Sequence, residues 1–167
     1  MSKLCTITTY VDADHARDQL TRRSVTGILI LLNNTPISWY SKRQKTVESS
    51  TYGSELVASR IAVEKIIALR YFLHMLGCNL EPCSSMLGDN MAVVLNTTIP
   101  SSAIKKKHLA CNYHKVRESI AGGFIKLTHI ISDDNLADIL TKPLPRIKFE
   151  RLTDQCLYRT AKTISNN

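Results

Sequence analysis

Paired cysteines are missing from this sequence. The five cysteines, at positions 5, 78, 83, 111 and 156, are odd in number and form no CxxC pair, which argues against a disulfide framework and for reduced thiols in an intracellular setting. Cys78 and Cys83 are close neighbours, but no Cys/His partners follow at zinc-ligand spacing, so the pattern excludes a zinc finger. Long apolar runs are also missing. Charge interrupts each within a few residues, leaving neither a secretory signal nor a segment of membrane-spanning length. Internal repeats and low-complexity tracts are absent, which excludes solenoid and fibrous architectures.

What is present suits one cored globular domain. A chain of 167 residues is long enough for one such domain and too short for two. The expected domain covers 1–152, with 153–167 as a partly disordered tail. Bases exceed acids, 22 against 14, for a net charge of +8. They fall in clusters: Arg22 and Arg23; Lys42, Arg43 and Lys45; and Lys105, Lys106 and Lys107 beside His108. Such clusters suit a polyanion, because lysine and arginine displace counterions from phosphates. A merely solvated basic surface has the same composition, so charge alone does not decide.

The segment Cys5 to Asp12 is rich in β-branched and aromatic residues and ends abruptly in an acid, which predicts a first strand with Asp12 at its carboxyl end. Val25–Leu32 and Ile37–Tyr40 predict two more strands, joined by turns short enough for an antiparallel meander. Hydroxyls at Ser49, Ser50 and Thr51 offer caps for the longest helix, which the apolar period carries to Leu76 and Gly77 ends. Gly53 in its first turn lowers propensity but lets another chain segment approach closely. A strand at Ser84–Leu87 stops at Gly88 and Asp89, followed by a short helix over Asn90–Leu95. Lys107–Ala121 reads as helix, Phe124–Ile130 as the fifth strand, and Asn135–Leu140 as a last helix ending before Pro143. The segment after Pro145 is amphipathic through Ile147, Phe149 and Leu152, then polar. The expected fold class is α/β, a five-stranded mixed sheet of three antiparallel strands and two further strands, with helices on both faces.

Four acids stand at comparable places in this scheme. Asp12 and Asp89 end strands, Glu55 lies near the start of the long helix, and Asp138 sits in the first turn of the last one. Brought together they would repel one another strongly unless a cation held them, and hard oxygen ligands point to magnesium or manganese. Two such ions roughly 3.5–4 Å apart suit phosphodiester hydrolysis.

Several motifs, in chain order, carry a resemblance. They are Tyr10-Val-Asp-Ala-Asp14, Ile37-Ser-Trp-Tyr-Ser-Lys42, Gln44-Lys-Thr-Val-Glu-Ser-Ser-Thr51 with Ser54-Glu55, Gly88-Asp-Asn90, Lys107-His108, Tyr113-His114 and Asn135-Leu-Ala-Asp-Ile-Leu-Thr-Lys-Pro-Leu144. Together they resemble the ribonuclease H domain at the C-terminal end of copia-type retrotransposon polyproteins, over about Tyr10 to Leu152. The resemblance implies an RNase H-like fold that cuts the RNA strand of an RNA/DNA hybrid during reverse transcription, using two Mg2+ ions, with Mn2+ as the alternative. It places the family's catalytic and metal-binding acids on Asp12, Glu55, Asp89 and Asp138. It also implies a reverse transcriptase domain in the same polyprotein, and a cytoplasmic location within virus-like particles, with the nucleus as the alternative. A degenerate or domesticated copy, serving as a nucleic-acid-binding module, is the rival reading, and retention of all four acids favours the enzyme.

The sequence departs from the family pattern at His15 and Arg17, where tryptophan and glycine are usual, and its loop Ile131–Asn135 has no histidine. His129 reads as an ordinary strand residue, and Asp14, Asp133 and Asp134 as solvated turn acids. His108 and His114 lie on different helical faces, a poor metal pair. Trp39 reads as core, with stacking on a hybrid as the alternative.

Overall fold

The strand-forming segments are β1 (Ile7–Asp14), β2 (Val25–Leu32), β3 (Thr35–Arg43), β4 (Ser84–Gly88) and β5 (Ile125–His129). In the computed structural model, which describes residues 4–104 and 107–157, they form one sheet in the order β3-β2-β1-β4-β5. The first three are the expected antiparallel meander. Strands β4 and β5 run parallel to β1, as connections that cross back through helices require. Asn33 and Asn34 take positive φ at the β2–β3 turn, a conformation asparagine tolerates better than most residues.

Helices cover both faces. On one side lie α1 (Thr51–Met75), α2 (Met91–Thr98) and α3 (Ala110–Ala121). Leu56, Val63 and Ile66 of α1 and Val116 of α3 pack with Val11, Ile28, Ile30 and Met86 of the sheet in the main core. Each such side chain, fully buried, contributes about 1.5–3 kcal/mol. On the other side Leu29 and Leu31 meet Leu136 and Leu152, from the 3-10 segment Leu136–Leu140 and from α4 (Arg146–Cys156). Helix α1 is capped by Ser50, whose hydroxyl accepts from the Gly53 amide at 3.3 Å. Among the described residues no helix is long and apolar enough to cross a membrane.

Three sequence expectations change. The last short helix is 3-10 rather than α, because Asn135 caps it and only five residues precede the break at Thr141. The amphipathic stretch after Pro145 is a regular helix that continues through Cys156. Trp39 is not core: it is 71% exposed. It lies opposite Leu29 in the register, but β3 is the edge strand, so cover on that face stops short of it.

Candidate active site

Register brings the first two acids side by side. Val11 of β1 pairs with Gly88 of β4, so Asp12 and Asp89 leave adjacent parallel strands at their carboxyl ends, where ligands of α/β sheets gather. Helix α1 delivers the third. The Glu55 carboxylate accepts a hydrogen bond from the Ala13 amide at 3.2 Å, which ties the helix to the residue after Asp12. One oxygen from each of Asp12, Glu55 and Asp89 lies within 4.8 Å of the others.

Burial makes this arrangement costly. Asp12 and Glu55 are buried and Asp89 is half-buried. Desolvation raises the Asp12 pKa to about 6, with Asp138 and Asp89 adding to it, while the Thr141 hydrogen bond and Lys142 oppose the shift. Glu55 is held well above its ordinary range, first by burial and then by the charges of Asp12 and Asp89. Three carboxylate oxygens, hard donors within 4.8 Å of one another with protons held too tightly, fit a hard divalent cation.

The fourth acid arrives through the motif Asn135 to Leu144. Asn135 is fully buried; its amide nitrogen donates to the Val11 carbonyl at 2.9 Å, and its amide oxygen caps Ala137 at 3.1 Å. This hook fixes the 3-10 segment beside β1. Gly27, opposite Asp12 in the register, allows the close approach, since a Cβ there would meet the Ala137 carbonyl at 2.8 Å and the Thr141 methyl at 2.5 Å. Thr141 then donates a short hydrogen bond to Asp12 Oδ2. Asp138 is completely buried, yet it stands apart from the three-acid cluster, with its oxygens 2.8 Å from Lys142 Nζ and 2.9 Å from Lys148 Nζ. Lys142 Nζ also lies 3.8 Å from Asp12 Oδ2. Desolvation lowers the pKa of each lysine, but the nearby acids, Asp138 foremost, reverse this and leave both raised.

Comparison with known proteins gives relatives along most of the chain. The retrovirus-related Pol polyprotein from transposon TNT 1-94 of Nicotiana tabacum is 36% identical over 141 residues, 84% of this chain and 10% of that protein. The chain is a homologue of copia-type Pol polyproteins. It spans about a tenth of the length of the curated relatives it matches. No family model matches. Solved structures show that the Pol homologue has an RNase H fold. RNase H1 from Halobacterium salinarum aligns over 81% of this chain and 94% of that one, with a TM-score of 0.62 and 16% identity. LC11-RNase H1 in complex with RNA/DNA hybrid aligns over the same shares with a TM-score of 0.63 and 16% identity.

The unusual residues of the first loop in this Pol homologue have definite work. Arg17 bonds to Asp14 at 2.9 Å and donates to the Thr141 carbonyl at 2.9 Å, joining the loop to the fourth-acid segment. His15 Nδ1 lies 3.4 Å from Ser54 Oγ, one residue before Glu55. His129 does more than fill a strand, since its Nε2 is 3.1 Å from the Asp89 carbonyl oxygen. Asp133 and Asp134 are exposed turn acids that pair with Lys148 and Arg151.

The basic residues divide. Lys42, Arg43 and Lys45 line a groove of about 780 Å³ together with Arg60 and Lys65 of α1. Buried Gln44, also on its wall, donates to the Ser54 carbonyl at 2.8 Å, so groove and acid site share a support. Arg43 additionally pairs with Asp18. Arg22 and Arg23 are exposed on the β1–β2 loop, outside the groove lining. Lys107 is exposed, and His108 reaches buried Glu48 at 3.6 Å. Lys105 and Lys106 lie outside the described residues. Sequence reasoning missed Arg60, Lys65, Thr141, Lys142 and Lys148; for Thr141 and Lys142 the signal was the Asn135–Leu144 motif itself.

Proposed function

We propose that this domain hydrolyses the RNA strand of RNA/DNA hybrids, as the RNase H part of a retrotransposon reverse transcriptase, with divalent metal ions held first by Asp12, Glu55 and Asp89 and then by Asp12 with Asp138. The observation that carries the reading is the convergence of three carboxylates, two of them buried, at the carboxyl ends of adjacent parallel strands in an RNase H fold. Mg2+ or Mn2+ bound there would supply the Lewis acid for activating water and stabilising the leaving oxygen of a phosphodiester. The residues of the chain do the rest. Thr141 orients Asp12 through its Oδ2, and the Ala13 amide orients Glu55. Lys42, Lys45, Arg60 and Lys65 supply positive charge for phosphates of the flanking duplex, and exposed Trp39 offers a ring at the sheet edge.

Other nucleic-acid-binding proteins could share the groove, but a mere binding module has no use for carboxylates clustered and buried together, which cost stability. The test uses a hybrid labelled on one strand at a time. With Mg2+ the RNA strand should be cut and the DNA strand left whole, and chelation should abolish cutting. Tight hybrid binding without RNA cleavage in Mg2+ or Mn2+ would replace the enzyme with the binding module.

A further inference from the structure

The two cation positions of the proposed centre are not equivalent, because the chain brings a cation of its own to one of them. At Asp12, Glu55 and Asp89 one oxygen of each lies within 4.8 Å of the others. Between Asp12 and Asp138 stands the ammonium of Lys142, 3.8 Å from one acid and 2.8 Å from the other. Lys148 of α4 completes the neutralisation of Asp138 at 2.9 Å and is itself anchored by Asp133 at 3.1 Å and the Ser132 carbonyl at 3.2 Å. We propose that Lys142 occupies the second cation position, so that the substrate-free protein takes a single divalent ion on Asp12, Glu55 and Asp89, and a second ion enters only by displacing Lys142.

The geometry explains why Lys142 is the exchangeable partner. It follows Asp138 by one helical turn in sequence, is only half-buried, and bridges both acids that a second ion would need. Its stem is flexible and its ammonium is readily hydrated, so it can withdraw to solvent. Lys148 touches Asp138 but is not paired with Asp12, so it neutralises the fourth acid without standing in the bridging position. Ion and ammonium compete for the same carboxylates, and removing the competitor strengthens ion binding by mass action.

This inference rests on the metal-centre reading, and the experiment separates the two. Mn2+ binding to the substrate-free protein is counted by electron paramagnetic resonance and calorimetry. The unaltered chain should bind about one ion in the micromolar-to-millimolar range typical of carboxylate sites. Lys142→Gln, which keeps a polar side chain but carries no charge, should bind about two, or tighten the second ion by roughly tenfold or more. Lys142→Arg and Lys148→Gln should stay near one. Equal Mn2+ counts and affinities in the unaltered chain and Lys142→Gln would overturn the role of Lys142 and leave the three-acid site standing. Mn2+ binding that survives unchanged in Asp89→Asn would overturn the metal centre itself. A second measurement follows the unaltered chain. In protein with 15N-labelled lysine, the Lys142 ammonium signal, assigned by its absence in Lys142→Arg, should persist through the first equivalent of Mg2+ and vanish only as excess is added. Its loss with the first equivalent would refute the proposal.

Discussion

Asp12 and Glu55 hold protons more tightly in the folded chain than in the unfolded one, and the direction of that shift fixes a pH dependence. Where both states are protonated, at the acid end, the shift costs nothing. As pH rises through the window between the ordinary value of 3.8 and about 6, the unfolded chain releases the Asp12 proton first, so the folded state loses stability. Above about 6 the loss from Asp12 is complete, on the order of 3 kcal/mol as an upper bound at about 1.4 kcal/mol per unit. Glu55 acts in the same sense. Asp18, held low by its bond to the Thr21 amide, and Asp133, held low by Lys148, titrate below this window and do not mask it. The metal-free protein should therefore melt at lower temperature at pH 7.5 than at pH 5, and millimolar Mg2+ should remove most of the difference. A metal-free melting temperature that is flat or rises over that range would contradict the burial of these two charges. At this scale the sequence was legible where position implied chemistry: strand ends marked Asp12 and Asp89, and a helix start marked Glu55. It could not show that Asp138 faces two ammonium groups, because Lys148 comes from a helix that only the tertiary fold brings back.

The 3-10 segment Leu136–Leu140 depends on one absent side chain. Gly27 sits where a Cβ would strike backbone at Ala137 and the Thr141 methyl, and neither is a flexible chain end that can swing away. Gly27→Ala should push the segment off β2, destabilise the fold by about 1–3 kcal/mol in urea titration, and loosen the Thr141 bond that orients Asp12. A neutral substitution would mean that the segment docks elsewhere. Strands were the most legible elements. The Val25–Leu32 boundaries stand as expected, β1 and β5 shift by one or two residues, and the third strand grows from Ile37–Tyr40 to Thr35–Arg43. Five residues are too few for apolar period to separate 3-10 from α over Leu136–Leu140. Helix α4 was seen only as an amphipathic stretch, since Leu152 is buried while Ile147 stays 84% exposed.

For the whole molecule, the excess of base over acid becomes directional. Lys42, Arg43, Lys45, Arg60 and Lys65 share one groove, and Lys65 lies 4.5 Å over the Tyr40 ring. The basic clusters in sequence suited a polyanion without deciding for one and could not show this groove, because Arg60 and Lys65 are spaced among apolar residues of α1 and form no cluster in sequence. Replacing Lys42, Arg60 and Lys65 with alanine should weaken hybrid binding and lower the salt slope by roughly 0.7–0.9 for each phosphate no longer neutralised. An unchanged slope would place the duplex on another face. The central claim, that the three converging acids form the hydrolytic site, meets its most direct test in single-turnover cleavage of a labelled hybrid by Asp89→Asn and Asp14→Asn side by side. Asp89→Asn removes a ligand charge with almost no change of shape and should slow cleavage by about a hundredfold or more with its fold intact. Asp14→Asn, which loses only the pairing with Arg17, should stay within about threefold of the unaltered rate. Cleavage by Asp89→Asn at the unaltered rate, or a loss in Asp14→Asn as large as that in Asp89→Asn, would contradict it.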